Sequence, residues 1–113
     1  MKIVADSITL DELNKMAAGM FGGMVKAVVD IDRQLLAVDG ELHADLEALL
    51  LEKGSKLNNL WGINIYPEAG EKECIEFDSM INMRPSQNNR SRSVEDAGIR
   101  NIITEITVKR IKR

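Results

Sequence analysis

Two β-rich runs, Val25–Ile31 and Gln34–Val38, stand on either side of the polar pair Asp32-Arg33. That arrangement constrains the fold more than any other feature of the chain. Branched apolar runs joined by a two-residue polar turn predict a β-hairpin. A lone hairpin is marginal in water, so it must extend into a sheet with something packed on its apolar face. Leu60–Pro67, LWGINIYP, supplies a further strand by strict alternation. Trp61, Ile63 and Ile65 point one way; Gly62, Asn64 and Tyr66 point the other. Cys74–Met83 reads as the next strand. Ile75, Phe77, Ser79, Ile81 and Met83 share one face, and Glu76, Asp78, Met80, Asn82 and Arg84 the opposite one. Pro85 ends it, because proline has no backbone donor for a ladder. Lys2–Ala5 is a short apolar strand candidate, and Glu68–Glu73 is a charged turn around Gly70.

Helical signals flank the strands. Thr9 with Glu12 three residues later forms a capping box, and Ile8 and Leu13 occupy the positions of a hydrophobic staple. Leu10, Leu13, Met16, Ala17 and Met20 then recur at helical spacing, and Gly19, Gly22 and Gly23 end the run. At the far end Ser93 is a potential cap with Asp96 three later. Ile99, Ile102, Ile103, Ile106 and Arg110–Ile111 follow the helical period, although the β-branched density of IITEITV opposes it.

Residues 41–53, ELHADLEALLLEK, satisfy both patterns. As a helix they have strong propensity, an apolar stripe of Leu42, Leu46, Leu49 and Leu50, and Gly54 as a C-cap. As a strand, Glu41, His43, Asp45 and Glu47 alternate with Leu42, Ala44, Leu46 and Ala48. The neighbouring strands and the Lys53-Gly54-Ser55 corner favour the strand, with Ala44–Glu52 paired to Leu60–Tyr66. The expected architecture is α+β in a single domain, residues 1–113. An antiparallel β-meander of about five strands carries an N-terminal and a C-terminal helix on the Trp61/Phe77 face.

The chain has 113 residues, 44% of them apolar. A chain of this size buries roughly two-thirds of its unfolded surface and needs no staples. Cys74 is the only cysteine, so an internal disulfide is excluded. No stretch approaches the ~18 apolar residues of a membrane helix. Asp6 stands where a signal peptide needs an apolar run. The expectation is a soluble cytoplasmic protein. The net charge of −3 divides unevenly: residues 84–113 carry +5 and residues 1–83 carry −8. A basic last third can steer anions, or can be a solvated helix face with a frayed end.

GELHAD (40–45), LWGINIYP (60–67), EFDSMIN (76–82) and RPSQNNRSR (84–92) resemble a family of short prokaryotic proteins catalogued as domain of unknown function 5674. The likeness runs from about Phe21 to Arg100 in one motif order. Asn88 departs from the glycine usual in the family, and Asn is the next residue that tolerates a left-handed backbone. The resemblance implies a family and no activity.

The candidate ligand-binding residues are Arg84, Ser86, Gln87, Asn89, Arg90 and Arg92 of the 84–93 loop. They are joined by Asn64, Tyr66, Asp78 and Asn82 from the polar sheet face. Forked guanidiniums, amides and hydroxyls suit phosphate or carboxylate, and the start of the last helix adds free amides. The structural alternative has these arginines pair with Glu76, Asp78 or Glu95 and pin the loop. His43, Asp45 and Glu47 share one face of a strand and are a weak metal or acid–base candidate, since HxDxE has no established spacing. Trp61 belongs to the core by its alternation.

The chain carries no P-loop, GxGxxG, CxxC, HExxH or RNP-type aromatic motif. No cofactor is expected. The leading functional expectation is a binding module for an anionic small molecule, nucleotide or RNA phosphate. One competing expectation is a phosphodiester-cleaving enzyme using His43 and Arg90 or Arg92. Another is an oligomerisation domain. The substrate, the partner and the oligomeric state are not legible.

Overall fold

The computed structural model describes residues 1–20, 22–71 and 73–113. Lys72, in the expected charged turn, lies outside them. The chain runs β1 (Lys2–Val4), β2 (Ile8–Thr9), α1 (Leu10–Ala18), β3 (Val25–Asp30), β4 (Leu35–Val38), α2 (His43–Glu52), β5 (Leu60–Ile65), β6 (Ile75–Glu76), α3 (Ala97–Arg110) and β7 (Ile111–Lys112). Five strands form one antiparallel sheet in the order β1-β4-β3-β5-β6, and β2 pairs with β7 in a separate parallel pair. The expected hairpin is β3–β4, with a four-residue turn over 31–34 in place of the two-residue Asp32-Arg33 turn.

The first helix forms as its sequence dictates. Thr9 Oγ1 accepts the Glu12 amide, and Glu12 Oε2 accepts the Thr9 amide, each at 3.1 Å. Leu13 and Ala17 turn inward, and the helix caps at Gly19. The last helix starts later than expected. Asp96, not Ser93, is its N-cap, with the side chain accepting from the Ile99 amide at 3.0 Å. Ile111 leaves the helix to pair with Ile8. Both helices cover one face of the sheet: Leu13, Ala17, Ile103 and Ile106 pack with Val25, Val29, Trp61, Ile63 and Ile65, and Phe77 joins the edge of that cluster.

Residues 43–52 form a helix, which corrects the strand expected there. β5 pairs with β3 instead, Trp61 opposite Val29 and Asn64 opposite Lys26. No β-branched residue interrupts HADLEALLLE, so local propensity already favoured the helix. A Schellman motif closes it. Gly54 takes φ +100°, the Ser55 amide donates to Leu50 O at 3.0 Å and the Gly54 amide to Leu51 O at 3.1 Å. What decides the matter is the sheet. Its second face carries Val28, Ala37 and Leu60, and Leu46 and Leu50 bury completely against them. Full burial of each leucine contributes about 1.5–3 kcal/mol. The helix carries the chain from β4 across β3 to β5, so β4 and β5 run parallel with β3 antiparallel between them. The molecule therefore has three layers.

The strand expected over Cys74–Met83 is confined to Ile75–Glu76. Beyond it the chain leaves the ladder, and Met80–Asn82 form a 3-10 turn. Gly62 of β5 is the reason this segment can lie so close. A Cβ on Gly62 would stand 2.6 Å from both Cβ and Oγ of Ser79 and 3.1 Å from Ile81 Cγ1. Gly62→Ala is therefore expected to cost about 1–3 kcal/mol by overpacking. A chemical-denaturation midpoint equal to that of the unsubstituted protein would show that the 79–82 segment is free to retreat.

Candidate functional site: a polar cleft over the sheet

The 84–93 loop is held to the sheet by its own polar side chains. Asn82 is fully buried; its Oδ1 accepts the Gly62 amide at 2.8 Å, and its Nδ2 donates to Gly62 O at 2.9 Å and Arg92 O at 3.0 Å. Asn89 repeats the pattern, with Nδ2 donating to Asn82 O and Ser93 O, each at 2.7 Å, and Oδ1 accepting the Glu95 amide at 2.9 Å. Arg84 lies 4.6 Å over the Trp61 ring. It donates to the carbonyls of Leu57, Leu60 and Ile81 and to Gln87 Oε1. Gln87 in turn donates to Asn58 O. Asn88 adopts φ +60°, the left-handed turn that asparagine tolerates. Ser86 is exposed on this turn.

The loop also supplies its own anion. Glu95 Oε2 accepts the amides of Arg90 and Ser91 at 2.7 and 2.8 Å and the Ser91 hydroxyl at 3.0 Å. These bonds hold the Glu95 carboxyl below its usual pKa. The start of α3 is occupied in the same way by Asp96. Arg90 is exposed and makes no side-chain hydrogen bond among the described residues.

Arg92 behaves differently. Its carbonyl is fixed by the Ser79 amide at 3.0 Å and by Asn82, and its Nε reaches Asp78 Oδ1 at 2.7 Å. That places the guanidinium on a cleft of about 570 Å³ on the polar side of the sheet. Three walls close on it. β3 and β5 form the floor with Lys26, Asn64 and Tyr66. The first residues of α2, Leu42, His43 and Ala44, form one side. Glu76, Asp78, Ser79, Met80 and Ile81 form the other. Register explains the floor: Lys26 stands opposite Asn64 on β3–β5, and Asn64 opposite Glu76 on β5–β6.

Asn64 is 4% exposed. Its Nδ2 donates to Glu76 Oε1 at 2.8 Å and to Asp78 O at 3.3 Å, which sets the orientation of the amide. Its Oδ1 is buried with no hydrogen-bond partner among the described residues. The other such atom is Trp61 Nε1, within the apolar cluster. Tyr66 donates to Glu76 Oε1 at 3.3 Å; burial and then the Glu76 charge raise its pKa.

His43 Nε2 lies 2.8 Å from Ile63 O. A carbonyl can only accept, so Nε2 carries the proton. Burial lowers the pKa of His43, with Lys26 and Arg92 acting in the same direction and the Ile63 bond and Asp78 opposing. The imidazole is therefore neutral near pH 7, and Nδ1 keeps a lone pair that meets no donor among the described residues. No side chain caps α2; the Asp45 amide, the one that Thr9 and Asp96 serve in the equivalent place elsewhere, donates to Leu42 O at 3.2 Å, and the His43 and Ala44 amides have no acceptor among the described residues.

The cleft gathers Asn64, Tyr66, Asp78 and Arg92 from the expected set, with His43. It does not include Arg84, Ser86, Gln87, Asn89, Arg90 or Asn82, which lie in or under the loop. The helix parts His43 from Asp45. Glu47 follows His43 one turn on along the same helix face, close enough to Arg84 for the guanidinium to act on it, while burial raises its pKa. Among the described residues no group of three or more His, Cys, Asp and Glu is arranged to hold a metal. Lys26 is the cationic lining residue that sequence reasoning missed, and the apolar rim of Met24, Leu42 and Met80 was missed with it. The signal for Lys26 is a lone cation inside the apolar run MVKAVV.

A family model described as "Protein of unknown function (DUF5674)" matches residues 2–110. The chain belongs to this family. No curated protein and no solved structure matches the chain. The DUF5674 match spans every element from β1 through α3, so the clasp and the cleft both lie within the family's domain. No helix among the described residues is long and apolar enough to cross a membrane.

Proposed function

We propose that this DUF5674 protein is a small binding module of the cytoplasm that holds an anionic group of a small polar ligand in the cleft beside His43. One observation carries the reading. Lys26, Arg92 and the uncapped start of α2 converge on one cavity. Cationic side chains and helix amides favour an anion, and about 570 Å³ suits a small molecule. The 84–93 loop enters as the frame that presents Arg92. A nucleic-acid strand is a poorer fit, because Glu76 and Asp78 interrupt the basic surface that a backbone would follow.

An amide-resolved NMR titration with acetate and with inorganic phosphate at low salt tests this. The expected shifts fall on Lys26, His43, Ala44, Asn64 and Arg92 and shrink at least several-fold in Arg92→Ala. Shifts confined to Ser86–Ser91 would move the site to the loop tip. No localised shift with either anion would end the proposal.

A second reading is favoured by the neutral His43 beside Arg92: phosphodiester cleavage, with Nδ1 as base and the guanidinium facing developing charge. Incubation with a short RNA tests it. Cleavage abolished by His43→Gln would support it, and intact RNA would remove it.

A further inference from the structure

The cleft has a second chemical character beside its cations. Glu76 and Asp78 bring two carboxylates to it. Asn64 Oδ1 and His43 Nδ1 add two neutral acceptors that meet no donor among the described residues. Of the two, Asn64 Oδ1 is the buried one; a buried acceptor without a donor is costly, and a ligand that supplies an N–H group relieves it, while the part-buried His43 Nδ1 is open to a donor. We propose that the ligand is a zwitterion of the amino-acid type, its carboxylate toward Lys26 and the α2 amides and its ammonium toward Glu76 and Asn64. This rests on the reading of the cleft as an anion-accepting site.

Charge balance decides between ligand classes. Arg92 and Asp78 already pair with each other at 2.7 Å, which leaves Lys26 and Glu76, on the strands either side of Asn64, as the separated charges, and His43 is neutral. A ligand with separated charges and no net charge matches that surface. A nucleoside monophosphate, doubly negative, would set its phosphate against Glu76 and Asp78, and like charges at close range discriminate against it. The rim adds a third element. Leu42 and Met80 are 55% and 64% exposed at the mouth of the cleft, with Met24 beside them. They suit an apolar side chain on the ligand.

The full chain is titrated with each of the common L-amino acids by NMR. The best of them is compared with its N-acetyl derivative, its carboxamide and a nucleoside monophosphate. The zwitterion is expected to bind at least about tenfold more tightly than either derivative, since each loses one charge-assisted contact. Glu76→Gln keeps an acceptor for Asn64 and Tyr66 and removes only the charge. It is expected to weaken the zwitterion about tenfold and leave the N-acetyl derivative unchanged. Equal binding of the N-acetyl derivative, or tighter binding of the nucleotide, overturns the zwitterion and leaves the anion site standing. Absence of shifts with every carboxylate and phosphate tested overturns both.

Discussion

Replacing Asn82 by alanine is expected to destabilise the protein by about 3 kcal/mol, because it leaves buried backbone groups without partners. One side chain satisfies the Gly62 amide, the Gly62 carbonyl and the Arg92 carbonyl, and it is fully buried. Water does not reach this position readily, so the Gly62 amide and carbonyl lose their bonds outright, while the Arg92 carbonyl keeps the Ser79 amide. A urea titration followed by circular dichroism measures the loss. The same variant should weaken anion binding in the cleft, since Arg92 is placed through its own carbonyl. A loss below about 1 kcal/mol would mean that water enters and substitutes for the amide.

Arg84→Ala is expected to cost about as much, roughly 3 kcal/mol, by a different route. The guanidinium covers the face of Trp61 and bonds three backbone carbonyls at once. Its removal uncovers an aromatic ring that is 1% exposed and orphans the ends of the segments that meet there. Arg84→Lys should recover less than half of the loss, because an ammonium has neither the plane nor the fork. Trp61 is the only tryptophan in the chain, so its fluorescence reports directly. The expected result is a red-shifted emission in the folded Arg84→Ala protein. An unshifted emission would show that the ring stays covered without the arginine.

These two side chains explain why an arginine- and amide-rich loop is weak evidence for a ligand. From the sequence, Arg84, Gln87 and Asn89 look like recognition groups. In the folded protein their bonds go to backbone carbonyls of the loop itself and of the segment around Leu57–Leu60. The pattern of donors was legible, but the identity of the acceptors was not, because carbonyl positions do not appear in side-chain chemistry. Arg92 was legible as a candidate and keeps that status, since the backbone around it is clamped while the head reaches the cleft. Lys26 was not legible as a site residue: it joins Asn64 only through the register of β3 with β5, a pairing of distant segments.

What the sequence determined by itself is local. The Thr9–Glu12 capping box, the β3–β4 hairpin, the two faces of Leu60–Ile65 and the left-handed turn at Asn88 all rest on interactions within a few residues. So does the membership of Trp61, Ile63 and Ile65 in the core. Tertiary structure decided the rest. Residues 43–52 became a helix because the second face of the sheet needed cover, and a strand there would have left Val28, Ala37 and Leu60 in water. The ladder after Glu76 ended because the close approach at Gly62 and the bonds of Asn82 hold the chain off the sheet. Those outcomes depend on surfaces that exist only once distant strands have paired. The cleft is the space left between them.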